Sequence, residues 1–487
     1  MTDEWLRRAA ALTFPAGHHL GGESNAGTAG TFPVISPRDG AVLTEVPDAG
    51  PAEVESAVRA ARRAFDDGPW PRLEPAERGR ILLRLADLVE RDRDELALLI
   101  SLEMGKPIKD SHGIELRAVI NTLRYYGELA DKLTDEAPQA GPDALALVTR
   151  EPIGVVAAIV PWNFPLTLAT WKVAAALAAG CTVVLKPAEQ TPLSALRLGE
   201  LGTEAGLPPG VFNVLAARGR AAGIALGKSP DVDVVAFTGS TEVGRHYLHY
   251  AADSNLKRVW LELGGKSPNL VLPDAPDLAT AAATAAWGIF FNSGQMCTAP
   301  SRLLVHRSIA AEVVDAVVER AQAIRIGDPL DPATEMGPIA TARQLASVEE
   351  HIASAGARLR TGGQRLDRPG FYLQPTVFDQ VTPDMEICRE EIFGPVLSVL
   401  TFDTLDEAVA LANDSVYGLA AGLWTADLST AHRVARRLKA GTVWVNCYEE
   451  GGLNVPFGGF KQSGNGRDKS LHALEKFTEL KTTWIAL

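Results

Sequence analysis

Cysteine is scarce in this sequence. Its 487 residues include only four, at Cys181, Cys297, Cys388 and Cys447. No two of them form a CxxC pair, and in a chain of this length isolated cysteines are typical of reduced thiols in the cytoplasm rather than of a disulfide framework. The one close histidine pair, His246 and His249, has helical spacing without a cluster of acids or cysteines beside it. We therefore interpret this pair as a solvated helix face and expect no metal site.

A long uninterrupted apolar run is also missing. The longest apolar region, 153–185, is broken by Pro161, Asn163, Pro165 and Lys172, which argues against a membrane span. The first residues, MTDEWLRRAAALTF, carry two acids before the arginines and only a short apolar stretch, so they lack the layout of a signal peptide. We expect a cytoplasmic protein without a membrane partner.

Positive charge is in deficit. Lysine and arginine total 47 against 60 acidic residues, which gives a net charge of −13 at pH 7. This balance argues against a nucleic-acid backbone as the main partner and is compatible with a cationic small molecule. The hydrophobic fraction of 46% and the charged fraction of 22% are ordinary for a soluble globular chain of two or three domains.

The spacing of apolar residues changes along the sequence. Apolar residues recur at helical spacing in 52–65 and 81–89, so the first 130 residues are predicted to be rich in helix. From about residue 153 onward, short β-branched runs alternate with helical stretches. This alternation predicts parallel sheets covered on both faces, with a second α/β domain after about residue 262. The segment 131–152 and the tail alternate polar and apolar residues, which predicts edge strands that could pair across a subunit interface.

The loops that follow the strands carry the chemistry, because ligands of open parallel sheets bind at the carboxyl ends of strands. Gly239 and Ser240 in TGSTEVG open a helix whose free N–H groups suit a phosphate, although a plain strand-to-helix turn fits them equally well. Lys186 and Glu189 in KPAEQTP offer a donor and an acceptor to the hydroxyls of a ribose, or form a solvated turn. Cys297 follows a glycine loop, and the residues alone leave both a nucleophile and a buried small side chain open.

Seven motifs occur in order between residues 160 and 464, and together they resemble the NAD(P)-dependent aldehyde dehydrogenase superfamily: VPWNFP, KPAEQTP, FTGSTEVG, LELGGKSPN, FFNSGQMC, EEIFGPV and PFGGFKQSG. The similarity extends over essentially the whole chain. It implies an α/β fold with two Rossmann-like parallel domains and a small β arm that builds a homodimer or homotetramer. The expected division is an NAD-binding domain of 1–130 and 153–261, a catalytic domain of 262–465, and oligomerisation strands at 131–152 and 466–487.

Aldehyde oxidation by hydride transfer first needs a tetrahedral intermediate, because the carbonyl carbon has to gain electron density before its hydrogen leaves. The resemblance assigns the attacking thiolate to Cys297, an oxyanion donor to Asn163 and the base for thioester hydrolysis to Glu262. We expect the glycine loop and its N–H dipoles to raise the thiolate fraction of Cys297. Lys172 and Asp468 match a proton-relay lysine and glutamate, but the shorter aspartate leaves the relay open. The other three cysteines are interpreted as structural.

The resemblance implies NAD as the cofactor, with NADP as an alternative. The residues that it assigns to cofactor binding are Ile159, Pro161, Trp162, Lys186, Glu189, Gly219, Gly223, Phe237, Gly239, Ser240, Leu263, Glu391 and Phe393. Glu391 would accept hydrogen bonds from the nicotinamide ribose, and Phe393 would pack near the ring. Gly219 and Gly223 fit either a close approach to the adenosine half or the start of a helix. The charge of Glu189 would repel a 2′-phosphate, which favours NAD.

The closing stretch from PFGGFKQSG onward looks most like dehydrogenases of polyamine and arginine breakdown, which oxidise γ-glutamyl-aminobutyraldehyde, guanidinobutyraldehyde and related aminoaldehydes. The residues expected to line the substrate tunnel are Phe164, Trp171, Met296, Thr298 and Phe457. A cationic head then needs an anion, which we expect from Glu115 at the far end and from Glu449 and Glu450 at the mouth. These three acids also fit as solvated surface residues, in which case a broad aliphatic or aromatic aldehyde dehydrogenase is the alternative.

Three other functions are less compatible with these residues. Relatives that pass the thioester to coenzyme A lack the base found here as Glu262. A non-catalytic NAD-binding structural protein would be expected to have lost Cys297, Glu262 or Asn163, and all three are present. A thiol hydrolase needs a histidine partner, and no histidine occurs in these loops. The sequence therefore predicts aldehyde oxidation and leaves the physiological aldehyde open.

Overall fold

The computed structural model describes residues 2–487. Its helices, in chain order, are α1 (Thr2–Ala10), α2 (Pro51–Asp66), α3 (Pro75–Arg91), α4 (Arg93–Met104), α5 (Ile108–Asp110), α6 (Leu116–Leu129), α7 (Pro165–Ala179), α8 (Leu193–Glu204), α9 (Ala221–Lys228), α10 (Thr241–Ala252), α11 (Leu278–Phe290), α12 (Ala310–Ala323), α13 (Ala342–Ala353), α14 (Glu386–Arg389), α15 (Leu405–Asn413) and α16 (Leu428–Arg437).

The strands are β1 (His18–Leu20), β2 (Glu23–Asn25), β3 (Thr31–Ile35), β4 (Val42–Pro47), β5 (Ala144–Pro152), β6 (Val155–Ile159), β7 (Thr182–Lys186), β8 (Phe212–Val214), β9 (Val234–Thr238), β10 (Arg258–Glu262), β11 (Pro268–Val271), β12 (Arg302–His306), β13 (Arg358–Thr361), β14 (Thr376–Asp379), β15 (Val396–Phe402), β16 (Tyr417–Gly418), β17 (Ala420–Trp424), β18 (Thr442–Val445), β19 (Phe460–Lys461) and β20 (Thr478–Ala486).

The first large sheet has seven strands in the order β10-β9-β6-β7-β8-β1-β2. Its five strands from β10 to β8 are parallel, and β1 and β2 add an antiparallel edge. Strands β6, β7 and β9 are buried along their whole length. Helices therefore cover both faces, as the continuous apolar runs of these strands predict.

The second large sheet also has seven strands, in the order β13-β14-β15-β12-β11-β17-β18. Only the edge strand β13 is antiparallel to its neighbour. The predicted alternation of parallel strands and helices is thus confirmed in both halves. The first sheet ends in sequence with β10 at Glu262, and the second begins with β11 at Pro268.

A separate two-stranded sheet joins β5 to the tail strand β20 over nine antiparallel residue pairs, from Ala144 with Ala486 to Pro152 with Thr478. The sequence predicted strands in both segments, and the structure pairs them with each other. Leu480, Trp484 and Ile485 on β20 stay exposed. The pair therefore carries an apolar surface that nothing within residues 2–487 covers.

The amino-terminal region is less helical than the sequence predicted. Helices α2 and α3 match the predicted periodicity, and Val54, Ala57, Val58 and Ala61 of α2 are buried. Four strands, β1 to β4, lie between residues 18 and 47 and were not predicted. They are only three to six residues long, which leaves little periodic signal to detect. Across the described residues, no helix has the length and apolarity to cross a membrane.

Candidate active site

Cys297 lies just beyond α11, behind a tightly wound loop. Asn292, Ser293 and Gly294 have φ angles of 52°, 57° and 71°, so two residues with side chains adopt the left-handed region in succession. Such strain persists only where contacts determine it. Here Asn292 Nδ2 donates to the carbonyl of Gln295 at 3.2 Å, and Gln295 Nε2 donates back to the carbonyl of Asn292 at 3.0 Å. The loop is therefore a fixed support for the thiol.

Asn163 binds directly to that loop. Its Nδ2 donates to the carbonyl of Gln295 at 3.0 Å, two residues before the cysteine. Its own carbonyl accepts from Lys106 Nζ at 3.1 Å and from Asn292 Nδ2 at 3.0 Å. The amide group has a second hydrogen, which remains available beside the thiol for a developing oxyanion.

The electrostatic surroundings of Cys297 differ from the expectation. Burial raises the pKa of the thiol, and the carboxylates of Glu449, Glu391 and Glu262 raise it further. The expectation that the loop favours the thiolate was therefore wrong in sign, because burial, together with the negative charge of three nearby acids, outweighs the N–H dipoles. At neutral pH the thiol keeps its proton until a base removes it.

Glu262 ends strand β10 and is a suitable base. Both carboxylate oxygens are buried, and neither has a hydrogen-bond partner among the described residues. Burial raises its pKa well above the ordinary range, and the charge of Asp468 adds to the rise. A Cβ on Gly458 or Gly466 would stand 2.7 or 2.9 Å from Glu262 Oε1, so only glycine leaves the carboxylate its space.

Lys172 and Asp468 form the expected pair, with a second lysine that the sequence analysis missed. Lys172 Nζ donates to Asp468 Oδ2 at 2.8 Å, and Lys476 Nζ donates to Oδ1. Burial acts to raise the pKa of Asp468, but the two ammonium groups outweigh it and hold the pKa below its usual range. The aspartate therefore stays charged, and both of its oxygens are occupied.

A cavity of about 280 Å³ adjoins Cys297 and Asn163. Seven of the residues predicted to bind the cofactor line it: Pro161, Trp162, Gly239, Ser240, Leu263, Glu391 and Phe393. The sequence analysis missed Leu168, Thr238, Gly264, Gln344, Ser347 and Ile392, which line it as well. Gln344 donates to the carbonyls of Ile392 and Phe393 at 3.0 and 3.1 Å, but no motif marks it in the sequence.

Glu391 closes one side of this cavity. Its Oε1 accepts from the backbone N–H of Gly265 at 3.0 Å, and a Cβ on Gly264 would collide with its Oε2. Burial raises the pKa of Glu391 to about 7. Phe393, with φ 56°, lies edge-on to Trp162 at 5.4 Å between ring centroids. A planar ligand ring in this cavity could therefore pack against Phe393 and Trp162 and lie within reach of the Glu391 carboxylate.

The remaining predicted cofactor residues lie at the neighbouring strand ends. Lys186 is the last residue of β7, and Glu189 Oε2 accepts from the N–H of Gly219 at 2.6 Å. Gly219 has φ 67° and open space around its Cα, as a close ligand approach requires. Gly223 lies within α9, where a Cβ would stand 2.8 Å from the hydroxyl of Tyr247, so packing against α10 also explains this glycine.

Ile159 and Phe237 are buried residues of β6 and β9, at 7% and 4% exposure. Ser240 caps α10, since its hydroxyl accepts from the N–H of Val243 at 3.3 Å.

His246 and His249 lie on that helix, and the residues that the structure describes include no cluster suited to a metal. The three remaining cysteines are all unpaired, and Cys181 and Cys388 are buried.

Three of the residues predicted to line the substrate tunnel take part in aromatic ring pairs. Phe164 and Phe291 lie 6.3 Å apart between centroids, and Trp171 and Phe457 lie 5.1 Å apart. The ammonium of Lys469 lies over both rings of the second pair, at 5.0 Å from Trp171 and 5.3 Å from Phe457. Sequence analysis missed Phe291 and Lys469, although Lys469 directly follows the relay aspartate.

Of the predicted substrate residues, Glu115 has other surroundings than expected. Glu115 is 1% exposed, pairs with Lys106, and accepts the N–H groups of Leu166 at 3.1 Å and Thr167 at 3.3 Å. It therefore neutralises a lysine and caps α7, which leaves no free anion for a substrate. Met296 belongs to the buried apolar cluster beneath α11, against which Phe164 and Phe291 also pack.

Thr298 and Glu449 remain close to the thiol. The hydroxyl of Tyr448 donates to the carbonyl of Thr298 at 2.7 Å and thereby ties the 447–450 loop to the cysteine segment. Glu449 Oε1 is buried without a hydrogen-bond partner among the described residues. Glu450 is exposed, and its carbonyl accepts from Trp444 Nε1 at 2.7 Å. Among the nearby acids, Glu449 has the largest effect on the pKa of the Cys297 thiol.

Comparison with known proteins agrees with this geometry. The sequence model of the aldehyde dehydrogenase family matches residues 24–483. The NADP/NAD-dependent aldehyde dehydrogenase PuuC of Escherichia coli K12 is 49% identical, over 99% of this chain and 98% of its own.

Two solved structures are similar over 100% of this chain and 99% of their own. The γ-glutamyl-γ-aminobutyraldehyde dehydrogenase of Burkholderia cenocepacia superposes with a TM-score of 0.98 at 54% identity. The indole-3-acetaldehyde dehydrogenase AldA of P. syringae, in complex with NAD⁺ and IAA, has a TM-score of 0.99 at 52% identity. Relatives of nearly equal identity thus carry different substrate names, so identity alone does not select the aldehyde.

Proposed function

The chain belongs to the aldehyde dehydrogenase family, and on that premise we propose that it oxidises an aminoaldehyde to the carboxylic acid with NAD⁺. One observation carries the proposal: Cys297 adjoins the 280 Å³ cavity and also lies close to Glu449, whose Oε1 is buried and unpartnered within residues 2–487. A buried acid without a partner is costly unless a ligand completes it.

The residues around the cavity fit a nicotinamide dinucleotide. The N-terminus of α10 supplies backbone N–H groups for a diphosphate, and Lys186 and Glu189 lie at the neighbouring strand end for a ribose. When bound, NAD⁺ supplies a hydride acceptor. Glu189 favours NAD over NADP, since its carboxylate repels a 2′-phosphate. A structure of AldA in complex with NAD⁺ supports this choice.

In the first half-reaction, the sulfur of Cys297 forms a bond to the aldehyde carbon and its proton passes to a base. Glu262 is suited to receive that proton because its raised pKa gives it a strong affinity for one. The N–H of Cys297 and the amide of Asn163 then donate to the oxyanion. The rigid loop and the Lys106 contact fix the position of Asn163 before the reaction.

Loss of the hydride leaves a thioester on Cys297, and water has to cleave it. Glu262 first releases the thiol proton to solvent and then takes a proton from that water. The C–S bond breaks, this proton passes to the departing sulfur, and the carboxylic acid and the free thiol are released. Space for the water and for a moving carboxylate comes from Gly458 and Gly466. The ion cluster of Lys172, Asp468 and Lys476 stays fixed near Glu262, where the two lysines oppose the rise of its pKa and Asp468 adds to it.

The substrate class rests on Glu449. An ammonium tail would complete the coordination of its Oε1 and remove the cost of leaving that buried oxygen without a hydrogen bond. A broad aromatic or aliphatic specificity is the second candidate, because Phe164, Phe291, Trp171 and Phe457 also suit an apolar ring. The indole-3-acetaldehyde substrate named for AldA supports that alternative.

We also propose a cytoplasmic homo-oligomer, a dimer or a tetramer. The exposed apolar residues Leu480, Trp484 and Ile485 of β20 support assembly, as an exposed apolar strand tends to pair. Four unpaired cysteines suit a reducing compartment. Light scattering on the purified chain measures the assembly directly, and a monomer at micromolar concentration would contradict it.

The test of the function is NADH production, followed at 340 nm, with 4-aminobutyraldehyde and butyraldehyde at equal concentrations. The proposal expects the ammonium compound to have the higher kcat/KM, by about 5- to 150-fold for one partly buried charge pair. If butyraldehyde is the equal or better substrate, the aminoaldehyde specificity is wrong and the broad specificity replaces it.

A further inference from the structure

Lys469 is a cation without a charged contact. Its Nζ lies over the faces of Trp171 and Phe457, at 5.0 and 5.3 Å from the ring centroids. Within residues 2–487 its side chain forms no hydrogen bond and no salt bridge. The preceding residue, Asp468, cannot serve as its partner, because Lys172 and Lys476 already occupy both carboxylate oxygens. The cation therefore has no direct ion pair beside these rings, and its largest charge interaction is the longer-range attraction of Glu449.

Glu449 has the opposite charge, and its carboxylate is only partly hydrogen-bonded, through the side chain of Thr298. Its Oε1 is buried and unpartnered among the described residues, and it does not approach Lys469 closely enough for a salt bridge. The hydroxyl of Thr298 lies beside this carboxylate. Both Glu449 and Lys469 interact electrostatically with the thiol of Cys297, so both lie near the reacting atom.

The backbone holds both residues in unusual conformations. Glu449 and Lys469 each have φ 58°, in the left-handed region that a side chain disfavours. Hydrogen bonds fix the two segments. Ser470 N donates to the carbonyl of Leu453 at 2.7 Å, and Asp468 N donates to the carbonyl of Phe457 at 2.7 Å. Two strained residues of opposite charge are thus held on adjoining loops beside one thiol.

We propose that Lys469 and Glu449 form a two-charge subsite that selects aldehydes whose tail carries a carboxylate together with an ammonium group. This inference rests on the proposed function and narrows it. A tail with an ammonium alone gains the attraction of Glu449 and meets the repulsion of Lys469. A neutral tail leaves both charges unpaired. A zwitterionic tail pairs with both, and the aromatic faces of Trp171 and Phe457 pack against the chain that leads to it.

The experiment uses four amides of 4-aminobutyraldehyde that have nearly the same length. The γ-glutamyl amide has both charges, the glutaryl amide has the carboxylate only, the 4-aminobutanoyl amide has the ammonium only, and the butanoyl amide is neutral. Values of kcat/KM are measured for the wild type, Lys469→Met and Glu449→Gln. We expect the wild type to prefer the amide with both charges.

Each variant should lose a different preference. Lys469→Met should lower kcat/KM about tenfold or more for the two carboxylate tails, mainly through KM, and leave the ammonium-only tail unchanged or improved. Glu449→Gln should lower it for the two ammonium tails. Lys469→Arg should restore most of the carboxylate preference. Lys228→Met is the matched control, because Lys228 also lies over an aromatic ring, Tyr250 at 5.7 Å, but outside this site.

The outcomes separate the subsite from the proposed function. Equal losses for all four amides in Lys469→Met would show that Lys469 only packs against the aromatic rings, and the subsite would be rejected. A wild type that prefers ammonium over neutral tails but is indifferent to the carboxylate would retain the aminoaldehyde function and reject the role of Lys469. A wild type that is best with the neutral amide would reject both.

Discussion

Lys172 and Asp468 are joined by a 2.8 Å hydrogen bond, although they are 296 residues apart in sequence and both side chains are only 1% exposed. Lys476 completes the cluster from the other side of the aspartate. The pair links helix α7, which begins beside Asn163, to the segment that precedes the tail strand. The carboxylate thus connects the active site with the β5–β20 pair.

Removing this carboxylate should destabilise the whole chain. Asp468→Asn leaves two buried ammonium groups without a counter-ion, and we expect the free energy of unfolding to fall by about 3–5 kcal/mol. Urea unfolding followed by tryptophan fluorescence measures the change. Asp403→Asn is the control, because Asp403 forms an exposed ion pair with Arg307, for which such a loss is typically below about 1 kcal/mol. Similar losses in the two variants would contradict a structural role for the buried cluster.

Replacing the nucleophile Cys297 should abolish the reaction but leave NAD⁺ binding intact. Cys297→Ser should still bind NAD⁺, because the cavity residues are unchanged, and should lose at least about 10³-fold in kcat. The serine hydroxyl has a much higher pKa than a thiol, and Glu262 is not a strong enough base to ionise it. Isothermal titration with NAD⁺ and the NADH assay measure the two properties. Activity within tenfold of the wild type would show that another group attacks the aldehyde.

Replacing Glu262 should separate acylation of Cys297 from hydrolysis of the thioester. In Glu262→Gln the thiol proton has to pass to solvent instead, so we expect a slower burst of about one NADH per active site. A stall should follow, since water then lacks its base. Stopped-flow absorbance at 340 nm resolves the burst. Loss of the burst together with turnover would instead assign Glu262 mainly to activation of the thiol.

The same residue determines the pH dependence of turnover. Only the deprotonated carboxylate accepts a proton, and burial raises the pKa of Glu262 well above that of an ordinary glutamate. Turnover should therefore rise with pH above the ordinary glutamate range. Glu262→Gln should lose this dependence. A wild-type profile that is flat from pH 5 to 9 would contradict the role of Glu262 as the base.

Much of this architecture is predictable from the sequence, and the exceptions share a physical cause. The strands β6, β7, β9 and β12 are continuous apolar runs, and their loops carry recognisable motifs, so both are visible locally. Lys469 and Lys476 lie in no recognisable motif. Lys469 gains its role from a contact with Trp171, which lies far away in sequence, and Lys476 from an ion pair with the buried Asp468. The pKa of Cys297 likewise depends on three acids from separate loops.

Cofactor preference should respond to Glu189. Glu189→Gln keeps the side-chain length and removes the charge that repels a 2′-phosphate, so the ratio of kcat/KM for NADP⁺ to that for NAD⁺ should rise, by about tenfold. The Gly219 N–H that donates to Glu189 can donate equally to the amide oxygen, which should preserve the loop. Steady-state kinetics with both cofactors provide the measurement. An unchanged ratio would place the selectivity elsewhere.

Glu115 should affect stability and not substrate choice. Its carboxylate pairs with Lys106 and accepts the N–H groups of Leu166 and Thr167 at the start of α7. Glu115→Gln leaves the Lys106 ammonium buried without its counter-ion, so the free energy of unfolding should fall by about 3–5 kcal/mol. Because Lys106 also holds the carbonyl of Asn163, kcat should fall by a similar factor for charged and neutral aldehydes. Urea unfolding and paired kcat/KM values for 4-aminobutyraldehyde and butyraldehyde measure both effects. A loss of kcat/KM for the cationic aldehyde alone would show instead that Glu115 acts in substrate binding.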